Sequence, residues 1–585
     1  MSQANEMVAA LLAEYADLLQ IAGSDPFRAR NYEKAAKSVA GYSGDVGLLD
    51  AATLRQIPGV GASIATKIVQ FQQTGTIAAL EDLRATLPDG IRELTRIPAL
   101  GPKRAFQLYR ELGISSVAEL AAAIDEGRLR DLRGFGPKSE DKLKHGIELA
   151  RSLHQRVPLN VASDVAERIV AAISAVPGCE RCEHAGSLRR FCETIGDVDI
   201  LAAASDSGPL MRTIIELPGV TDVVAHGDTK TSVRISTGHP AQGGSIQVDL
   251  RVVPIECWGA ALQYFTGSQA HNVAIREIAV RKKLKLSEYG LFEVETGDLI
   301  VSATEEEVYR RLGMAWVPAP LRENTGEVRA ALRDELPALV HVSDIRGDLH
   351  THTSLTDGVG TLAEMVAVAR ARGYDYFAVT DHAPNLFMQR MTLEKMLQQR
   401  DQLRRLEARL AGDGGPAMTL LHGTELNIGA DGTVDWPNEI LAGFDVCVAS
   451  VHSHFGQPRA EMTRRFVRAC ENPEVNIIGH PSARRIGKRP PVDVDFGELF
   501  RACAATGTAL EINCHPERLD LPSDHIRAAV QAGVKFSIDT DSHATGHLDF
   551  LRYGVGTAQR GWLTPDDVIN TWPLARLREF LGKGA

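Results

Sequence analysis

Two short motifs near the middle of the chain combine residues that bind phosphates with residues that bind metal ions. Gly186-Ser187 precedes Arg189 and Arg190, and Asp197 and Asp199 follow a few residues later. A glycine-serine turn with arginines suits a polyphosphate. Asp197 and Asp199 alternate along a strand-like run, so both carboxylates point to one face. Such a pair suits Mg²⁺, a hard cation that often shares oxygen ligands with substrate phosphates. The spacing therefore predicts nucleotidyl transfer.

A third acid stands in another strand-like segment. Asp249 is flanked by apolar residues within 246–253. Three carboxylates can hold two Mg²⁺ ions around a triphosphate: one ion activates a primer 3′-hydroxyl, and the other neutralises the triphosphate and the leaving pyrophosphate. The alternative is an isolated charge on an exposed edge strand.

The C-terminal part is rich in histidine, with eleven of the eighteen histidines after residue 346. Several of its histidines and acids directly follow short apolar runs. This pattern predicts ligands at the C-terminal ends of successive strands in a βα barrel. Imidazoles mixed with carboxylates suit Mn²⁺, Zn²⁺ or Fe²⁺. Metals that bridge a phosphate can generate hydroxide and stabilise the leaving oxygen. The candidate ligands are His350, His352, Asp357, His382, Glu425, His452, His480, Asp541 and His543.

The elements that would hold a substrate for these sites begin at the N-terminus, where helical spacing dominates. Segments 57–61, 97–103 and 132–138 share a pattern of a small residue, an apolar residue and glycine, and each leads into a helix-like stretch. The pattern resembles the helix-hairpin-helix motif, whose turn offers N–H groups to a phosphate. Three copies favour non-sequence-specific DNA binding over ordinary glycine-capped turns. The residues concerned are Gly59, Gly61, Gly101, Lys103, Gly134, Gly136 and Lys138.

Composition sets limits on these interpretations. At 585 residues the chain should hold several domains. Its formal net charge of −11 argues weakly against DNA binding, although local basic patches and bound metals can offset it. Eight cysteines without a disulfide framework fit a reducing cytosol, and Cys179 and Cys182 are interpreted as incidental thiols rather than a zinc site. With no signal peptide and no long apolar run, we expect a cytoplasmic protein.

The central segment resembles the palm of family X DNA polymerases. Gly186, Ser187 and Arg190 match the family's triphosphate grip, and Asp197, Asp199 and Asp249 match its metal triad. The resemblance implies that Tyr264 and Phe265 discriminate against a 2′-hydroxyl, and that Asn272 and Arg276 contact the nascent pair. The implied nucleotide contacts are Gly186, Ser187, Arg190, Gly196, Tyr264, Phe265, Gly267, Asn272 and Arg276.

This resemblance has departures and open points. Ile195 and His271 stand where a vertebrate repair enzyme of the family has a serine and an aromatic residue, which leaves the tightness of the phosphate grip open. A Tyr-Phe pair by itself is often core packing. Lys67 matches the Schiff-base lysine of the family's lyase domain. A DNA-phosphate contact is the preferred interpretation of Lys67, since a lyase lysine needs a depressed pKa.

The histidine-rich set is similar to the PHP (polymerase and histidinol phosphatase) phosphoesterase domain, whose nine-ligand pattern is complete here. Asp381 and His454 are interpreted as outer ligand supports or substrate contacts. His515 is interpreted as structural or as a support of the same kind.

The prediction is a multidomain α+β and α/β protein that fills short gaps during DNA repair and carries a C-terminal 3′–5′ exonuclease or phosphoesterase. AP-endonuclease, 3′-phosphatase and lyase activities remain open, as do a PHP module for small phosphomonoesters and a scaffold with relic sites. Expected ligands are Mg²⁺ at the triad, up to three Mn²⁺ or Zn²⁺ ions at the PHP site, a monovalent cation at the hairpin turns, dNTPs, and gapped or nicked DNA bound by a monomer. The expected domains are 1–85 (lyase-like), 86–157 (helix-hairpin-helix), 158–260 (palm), 261–320 (nucleotide selection), 321–345 (linker) and 346–585 (PHP).

Overall fold

The computed structural model describes most of the chain. The described residues are 3–22, 26–42, 44–87, 91, 94–95, 97, 100–130, 132, 134–136, 139–144, 146–147, 156–239, 244–386 and 391–582. Within these ranges no helix combines the length and the apolar character needed to cross a bilayer.

The N-terminal part is helical and has two apolar cores. One core joins residues between 8 and 91, and the other joins residues between 94 and 147. Gly61 and Gly101 each stand at the N-cap of a hairpin helix, and Pro102 fills the first turn, where its missing N–H costs nothing. The named helices are α1 (Gln3–Ile21), α2 (Pro26–Ala40), α3 (Ala51–Leu54), α4 (Ala62–Thr74), α5 (Ala78–Ala85), α6 (Pro102–Leu112) and α7 (Val117–Asp125).

The next part is a mixed five-stranded sheet of order β2-β4-β7-β6-β5, in which β4 and β7 are the parallel pair. Alternation of buried apolar and half-exposed residues along β7 places one face on the core. The elements are β1 (Val157–Pro158), α8 (Leu159–Ser174), β2 (Arg181–His184), α9 (Gly186–Arg189), β3 (Thr194–Ile195), β4 (Asp197–Ala203), α10 (Gly208–Glu216), β5 (Val220–His226), β6 (Lys230–Ser236) and β7 (Ser245–Val253).

Four helices and a three-stranded antiparallel sheet follow, around a core of their own. The segment predicted as a linker packs on this core: Leu321 and Ala331 belong to it, and Arg322 is fully buried. Arg322, Glu323 and Glu327 pair within the fold, whereas Arg329, Arg333, Asp334 and Glu335 are exposed. The elements are α11 (Trp258–Thr266), α12 (Gln269–Arg281), β8 (Leu284–Ser287), β9 (Gly290–Glu293), β10 (Leu299–Val301), α13 (Glu305–Arg311) and α14 (Glu327–Arg333).

The C-terminal module is an all-parallel sheet of seven strands in sequential order, β11 to β17. Just past the strand ends, a parallel bridge between Thr351 and Ser542 joins the first and last strands, so the barrel is nearly closed. The strands are β11 (Gly347–Asp348), β12 (Tyr376–Val379), β13 (Thr419–Asn427), β14 (Val446–Ser450), β15 (Ile477–Ile478), β16 (Ala509–Asn513) and β17 (Phe536–Asp539). The helices are α15 (Leu362–Ala371), α16 (Leu393–Gly412), α17 (Asn438–Leu441), α18 (Arg459–Glu471), α19 (Phe496–Thr506), α20 (Ser523–Gln531), α21 (Leu551–Arg560) and α22 (Leu574–Leu581).

The predicted fold class is confirmed in each part: a helical hairpin region, a mixed palm sheet and a C-terminal βα barrel. The apolar core of the palm is continuous with that of the barrel. The two modules are therefore packed on each other.

Candidate active sites

The first candidate site lies on the parallel pair β4 and β7. Asp199 is paired in register with Asp249, and Asp197 precedes Asp199 by two residues on the same face. Gln247 Nε2 donates to Asp249 Oδ1 over 2.9 Å, and Lys230 Nζ lies 2.7 Å from Asp249 Oδ2. The structure thus brings the three predicted carboxylates together at one end of the sheet.

Charge crowding at this triad fits a divalent cation. Burial, followed by repulsion from Asp197 and Asp249, raises the pKa of Asp199 to about 7. A doubly charged ion between the carboxylates would relieve both causes. Asp197, Asp199 and Asp249 are the residues that would hold it.

The turn of α9 is built against the triad. Gly186 has a φ of +61°, and a Cβ at this position would collide with the carboxylate of Asp199. Glycine is required here for both reasons. The Gly186-Ser187 turn and the metal triad therefore form one unit. Gly196, at the start of β4, faces Arg156.

A pocket opens between the triad and α11. Asp199, Asp249, Lys230, Tyr264 and Phe265 are among its lining residues. The two aromatic rings meet edge to face, with centroids 5.2 Å apart. Both rings line the cavity, as a nucleotide-selection role requires, and Phe265 also packs against a small apolar core.

The turn between α11 and α12 is held by Asn272. Its Nδ2 donates to the carbonyl oxygens of Tyr264 (2.7 Å) and Gly267 (3.2 Å). A Cβ at Gly267 would collide with Asn272, so glycine is needed for this close approach. Arg276 is exposed one turn further along, where its Nε donates to the Asn272 carbonyl. Asn272 thus sets the backbone that carries Tyr264.

His271 has a packing role instead of the aromatic one. It is fully buried, with Nδ1 2.7 Å from Glu327 Oε1 and Nε2 2.8 Å from Tyr309 Oη. The departure from the family pattern therefore has a local structural reason.

The two arginines of the predicted phosphate grip each share an acid with a second arginine. Arg189 and Arg322 both bind Glu305, at 2.9 Å and 2.5 Å. Although burial opposes it, Arg322 and then Arg189 lower the pKa of Glu305 to about 2. Arg190 binds Glu323 at 2.9 Å, as does Arg560 of α21 at 2.8 Å. Each trio carries one net positive charge.

The second candidate site lies at the C-terminal mouth of the barrel, where the structure brings all nine predicted ligands together. Three overlapping groups have ligand atoms within 4.8 Å of one another: His352, Asp357, His382 and His543; His350, His352 and Asp541; and His382, Glu425 and His452. His480 joins them through Glu425 Oε1, 3.1 Å from its Nε2. His350 and His352 follow β11 rather than lying within it.

The donor set fits bound metal ions. His350 Nε2 and His352 Nε2 lie 3.2 Å apart, and both lie 3.5 Å from Glu425 Oε2. His352 Nδ1 and His480 Nδ1 are buried without a hydrogen-bond partner among the described residues. Buried polar atoms of that kind are costly unless a ligand satisfies them. Neutral imidazoles and carboxylates in this arrangement suit Mn²⁺ or Zn²⁺.

A buried carboxylate and a side-chain amide orient two of the ligands. Glu511 Oε1 lies 2.6 Å from His350 Nδ1, and Asn427 Oδ1 lies 2.8 Å from His452 Nδ1. Such partners fix the ring orientation of a ligating histidine. Sequence reasoning missed Glu511, although an acid inside the apolar run of β16 is a usable signal. It also missed Asp348 and Asp539, whose pKa values burial raises to about 7.

The other predicted supports have distinct positions. Asp381 is buried and accepts hydrogen bonds from Thr353, Thr356 and Gln399. His454 is exposed, with Nδ1 3.0 Å from the Ser453 hydroxyl.

His515 packs edge to face on Phe550 and faces the ring of His547. Burial lowers the pKa of His515 to about 4.

Arg518 is a site residue that sequence reasoning did not find. Its Nε lies 3.5 Å from Asp541 Oδ2. Its Nη1 is buried and has no hydrogen-bond partner in the described part of the chain. A guanidinium donor left open beside the cluster of candidate metal ligands is suited to a phosphate oxygen.

The hairpin turns leave room for a ligand. A Cβ at Gly61, Gly101, Gly134 or Gly136 would meet no described atom within 4 Å. Only Gly134 of these four has a positive φ, so neither packing nor conformation requires the other three glycines. Arg104 links two hairpins: it donates to the Gly134 carbonyl over 2.9 Å and lies over the Phe135 ring.

The remaining hairpin predictions differ in outcome. Gly59 has a φ of +82° and faces Lys34, while Lys103 is exposed. Lys138 lies outside the described residues. Lys67 is half-buried, with its Nζ 3.1 Å from Ser63 Oγ and above the rings of Tyr15 and Tyr32 at 5.9 and 5.7 Å.

Comparisons with known proteins cover nearly the whole chain. Family models match at residues 3–77 (helix-hairpin-helix domain), 91–149 (SAM-like helix-hairpin-helix tandem), 261–323 (DNA polymerase beta thumb) and 348–515 (PHP domain). The DNA polymerase/3′-5′ exonuclease PolX of Bacillus subtilis is 33% identical over 572 residues, which is 98% of each chain.

Two further relatives each match part of the chain. DNA polymerase lambda of Rattus norvegicus is 27% identical over 50% of this chain and 52% of its own length. A probable phosphatase of Syntrophotalea carbinolica is 29% identical over 40% of this chain and 95% of its own.

Proposed function

Because this chain belongs to the bacterial PolX group of family X DNA polymerases with a C-terminal PHP domain, we propose that it fills short gaps in DNA during repair. Nucleotide addition takes place at Asp197, Asp199 and Asp249, and the barrel site removes nucleotides from 3′ ends. The relative with full-length similarity is named for the same pair of activities.

One observation carries the polymerase half of this proposal. A single pocket is lined by Asp199 and Asp249 on one side and by Tyr264 and Phe265 on the other. A triphosphate bound at the carboxylates would therefore place its sugar against the aromatic pair. A polymerase needs this combination, whereas a nucleotidyltransferase without sugar selection does not.

The finer assignment of ions follows from donor chemistry. We assign Mg²⁺ to the all-carboxylate triad and up to three Mn²⁺ or Zn²⁺ ions to the imidazole-rich barrel site. When bound, the two sets of ions activate a hydroxyl and neutralise phosphate charge. The chain's own contribution is to hold the carboxylates and imidazoles in fixed positions.

DNA is the partner that the hairpins fit. The open surface at Gly61, Gly101 and Gly136 would admit a phosphate close to the backbone. We propose gapped or nicked duplex as the substrate, bound by a monomer in the cytoplasm. Lys67 is assigned to a DNA phosphate. The hairpin surface accounts for DNA binding by a chain whose net charge is −11.

The direct test is a primer assay on a gapped duplex with Mg²⁺ and Mn²⁺ compared. We expect gap filling with Mg²⁺ and dNTPs, and 3′–5′ degradation with Mn²⁺ when dNTPs are left out. A preparation that neither extends nor degrades the primer would contradict the proposal. The similarity to probable phosphatases favours one alternative, a PHP site for small phosphomonoesters. Faster turnover of a small phosphomonoester than of the DNA 3′ end would select that alternative.

The open guanidinium of Arg518 gives a prediction for the barrel site. Arg518→Met should lower nuclease kcat/KM by about 10- to 100-fold, the magnitude of a lost charge-assisted hydrogen bond to phosphate, with no change in primer extension. Arg459→Met is the matched control, because Arg459 is 60% exposed and pairs with Asp495 outside the site. Equal nuclease rates for the Arg518 variant and the control would remove Arg518 from the site.

A further inference from the structure

We propose that Arg560, on helix α21 of the PHP module, is a positioning residue for the polymerase site. It acts through Glu323 on Arg190, and so on the binding of the incoming nucleotide's triphosphate. This inference rests on the proposed polymerase function. It means that the PHP module supplies part of the polymerase's nucleotide site.

The contacts that carry the proposal meet at one carboxylate oxygen. Arg560 Nη1 donates to Glu323 Oε1 over 2.8 Å and to the carbonyl oxygen of Arg190 over 2.9 Å. Arg190 Nε donates to the same Glu323 oxygen over 2.9 Å. Arg190 Nη1 donates to the Thr266 carbonyl over 2.8 Å. Arg560 thus holds both the side-chain partner and the backbone of Arg190.

Charge balance says what Arg560 adds. Two guanidinium groups share one carboxylate, so the trio carries one net positive charge. Without Arg560, Glu323 would neutralise Arg190, and the remaining pair would carry no net charge. A triphosphate would then be attracted less strongly to Arg190, even though the Arg190 side chain is still present.

The backbone after Arg190 is held by the PHP module as well. Phe191 packs on Gly556 of α21, where any Cβ would collide with its ring. Glu193 pairs with Arg484 of the barrel at 2.7 Å. The segment between the phosphate grip and the metal strand is therefore fixed by the barrel at several points. A displacement of α21 would move the grip relative to the triad.

A second arginine on α21 provides a matched control. Arg552 also joins the barrel to the palm, since its Nη1 donates to Glu167 Oε1 over 2.5 Å. Glu167 is 55% exposed and Arg552 is 42% exposed, whereas Arg560 is 17% exposed. Removal of Arg552 costs its ion pairs with Glu167 and Asp164 of the palm. Removal of Arg560 costs its ion pair with Glu323 and its hydrogen bond to the Arg190 carbonyl. Only Arg560 touches the grip.

The experiment compares Arg560→Met, Arg560→Lys and Arg552→Met in the full chain. Single-nucleotide gap filling gives the KM for the dNTP and kcat. Equilibrium binding of dATP to enzyme on a dideoxy-terminated primer gives affinity without turnover. For Arg560→Met we expect KM and Kd for the nucleotide to rise about tenfold, with kcat within about twofold and nuclease activity unchanged. The KM and Kd of Arg560→Lys should lie between those of wild type and Arg560→Met, because lysine keeps the charge but lacks the planar guanidinium that donates two hydrogen bonds at once.

Coupling through Arg190 is the decisive readout. In an Arg190→Met background, Arg560→Met should add less than about a twofold effect, because the group it positions is gone. Full additivity, an unchanged nucleotide Kd in Arg560→Met, or an equal shift in Arg552→Met would each overturn the inference. Failure of the proposed function has a different signature: wild-type enzyme that adds no nucleotide. The dATP titration still tests Arg560 in that case.

Discussion

Replacement of Asp249 by asparagine should reduce nucleotide addition by about a thousandfold or more and leave 3′–5′ degradation within about twofold of wild type. Asparagine keeps the shape of the side chain and removes its charge. Asp249 faces Asp199 across the parallel pair, so the triad loses the carboxylate that completes it. Lys230 also loses its partner, which leaves a cation where a metal ion would bind.

The measurement is single-turnover gap filling with Mg²⁺, run beside degradation of the same duplex with Mn²⁺. Asp222→Asn is the matched control, because Asp222 lies on the exposed strand β5, two strands from β7 in the same sheet. Wild-type rates of addition in the Asp249 variant would show that the triad is not the catalytic centre.

His352→Ala should have the reverse effect, with nuclease activity reduced by about a thousandfold or more and gap filling retained. His352 is fully buried and belongs to two of the three ligand groups, so its loss opens both of them. Metal content of the purified protein should fall with activity, which is a readout independent of catalysis.

The control for this variant is His525→Ala. His525 lies on α20, pairs with the neighbouring Asp524 and belongs to none of the ligand groups found in the described ranges. The separation of the two sites would be contradicted if His352→Ala abolished gap filling while the protein's thermal unfolding stayed unchanged. Loss of both activities in the Asp249 variant would have the same meaning.

Much of each site could be predicted because its chemistry is local in sequence. Asp197 and Asp199 share a strand face through simple alternation, and the barrel ligands follow the strands that present them. The repeated βα order also predicts that these strand ends meet at one mouth. The members of the barrel cluster could be predicted without knowing any distance between them, because parallel strands bring their carboxyl ends to one edge.

What escaped sequence reasoning depends on contacts between distant parts of the chain. Glu193 and Arg484 pair across 291 positions, and neither has a distinctive neighbour. The open donor of Arg518 becomes visible only when Asp541 lies beside it. The predicted linker was misleading in one respect: Arg322 looks solvated in sequence, yet it is buried because Glu305 neutralises it. Long-range pairing of opposite charges leaves no periodic trace in a sequence.

The Thr351–Ser542 bridge joins the two ends of the barrel, so metal binding beside it depends on folding of the whole module. The ligands next to Thr351 come from its beginning, and those next to Ser542 come from near its end, almost two hundred residues later. No shorter piece of the chain can assemble the His350, His352 and Asp541 group. The free energy of metal binding at this group would therefore be available only to the finished barrel, and it would stabilise that state against partly folded ones that lack either end. A nuclease site arranged in this way becomes active only after all seven strands are in place.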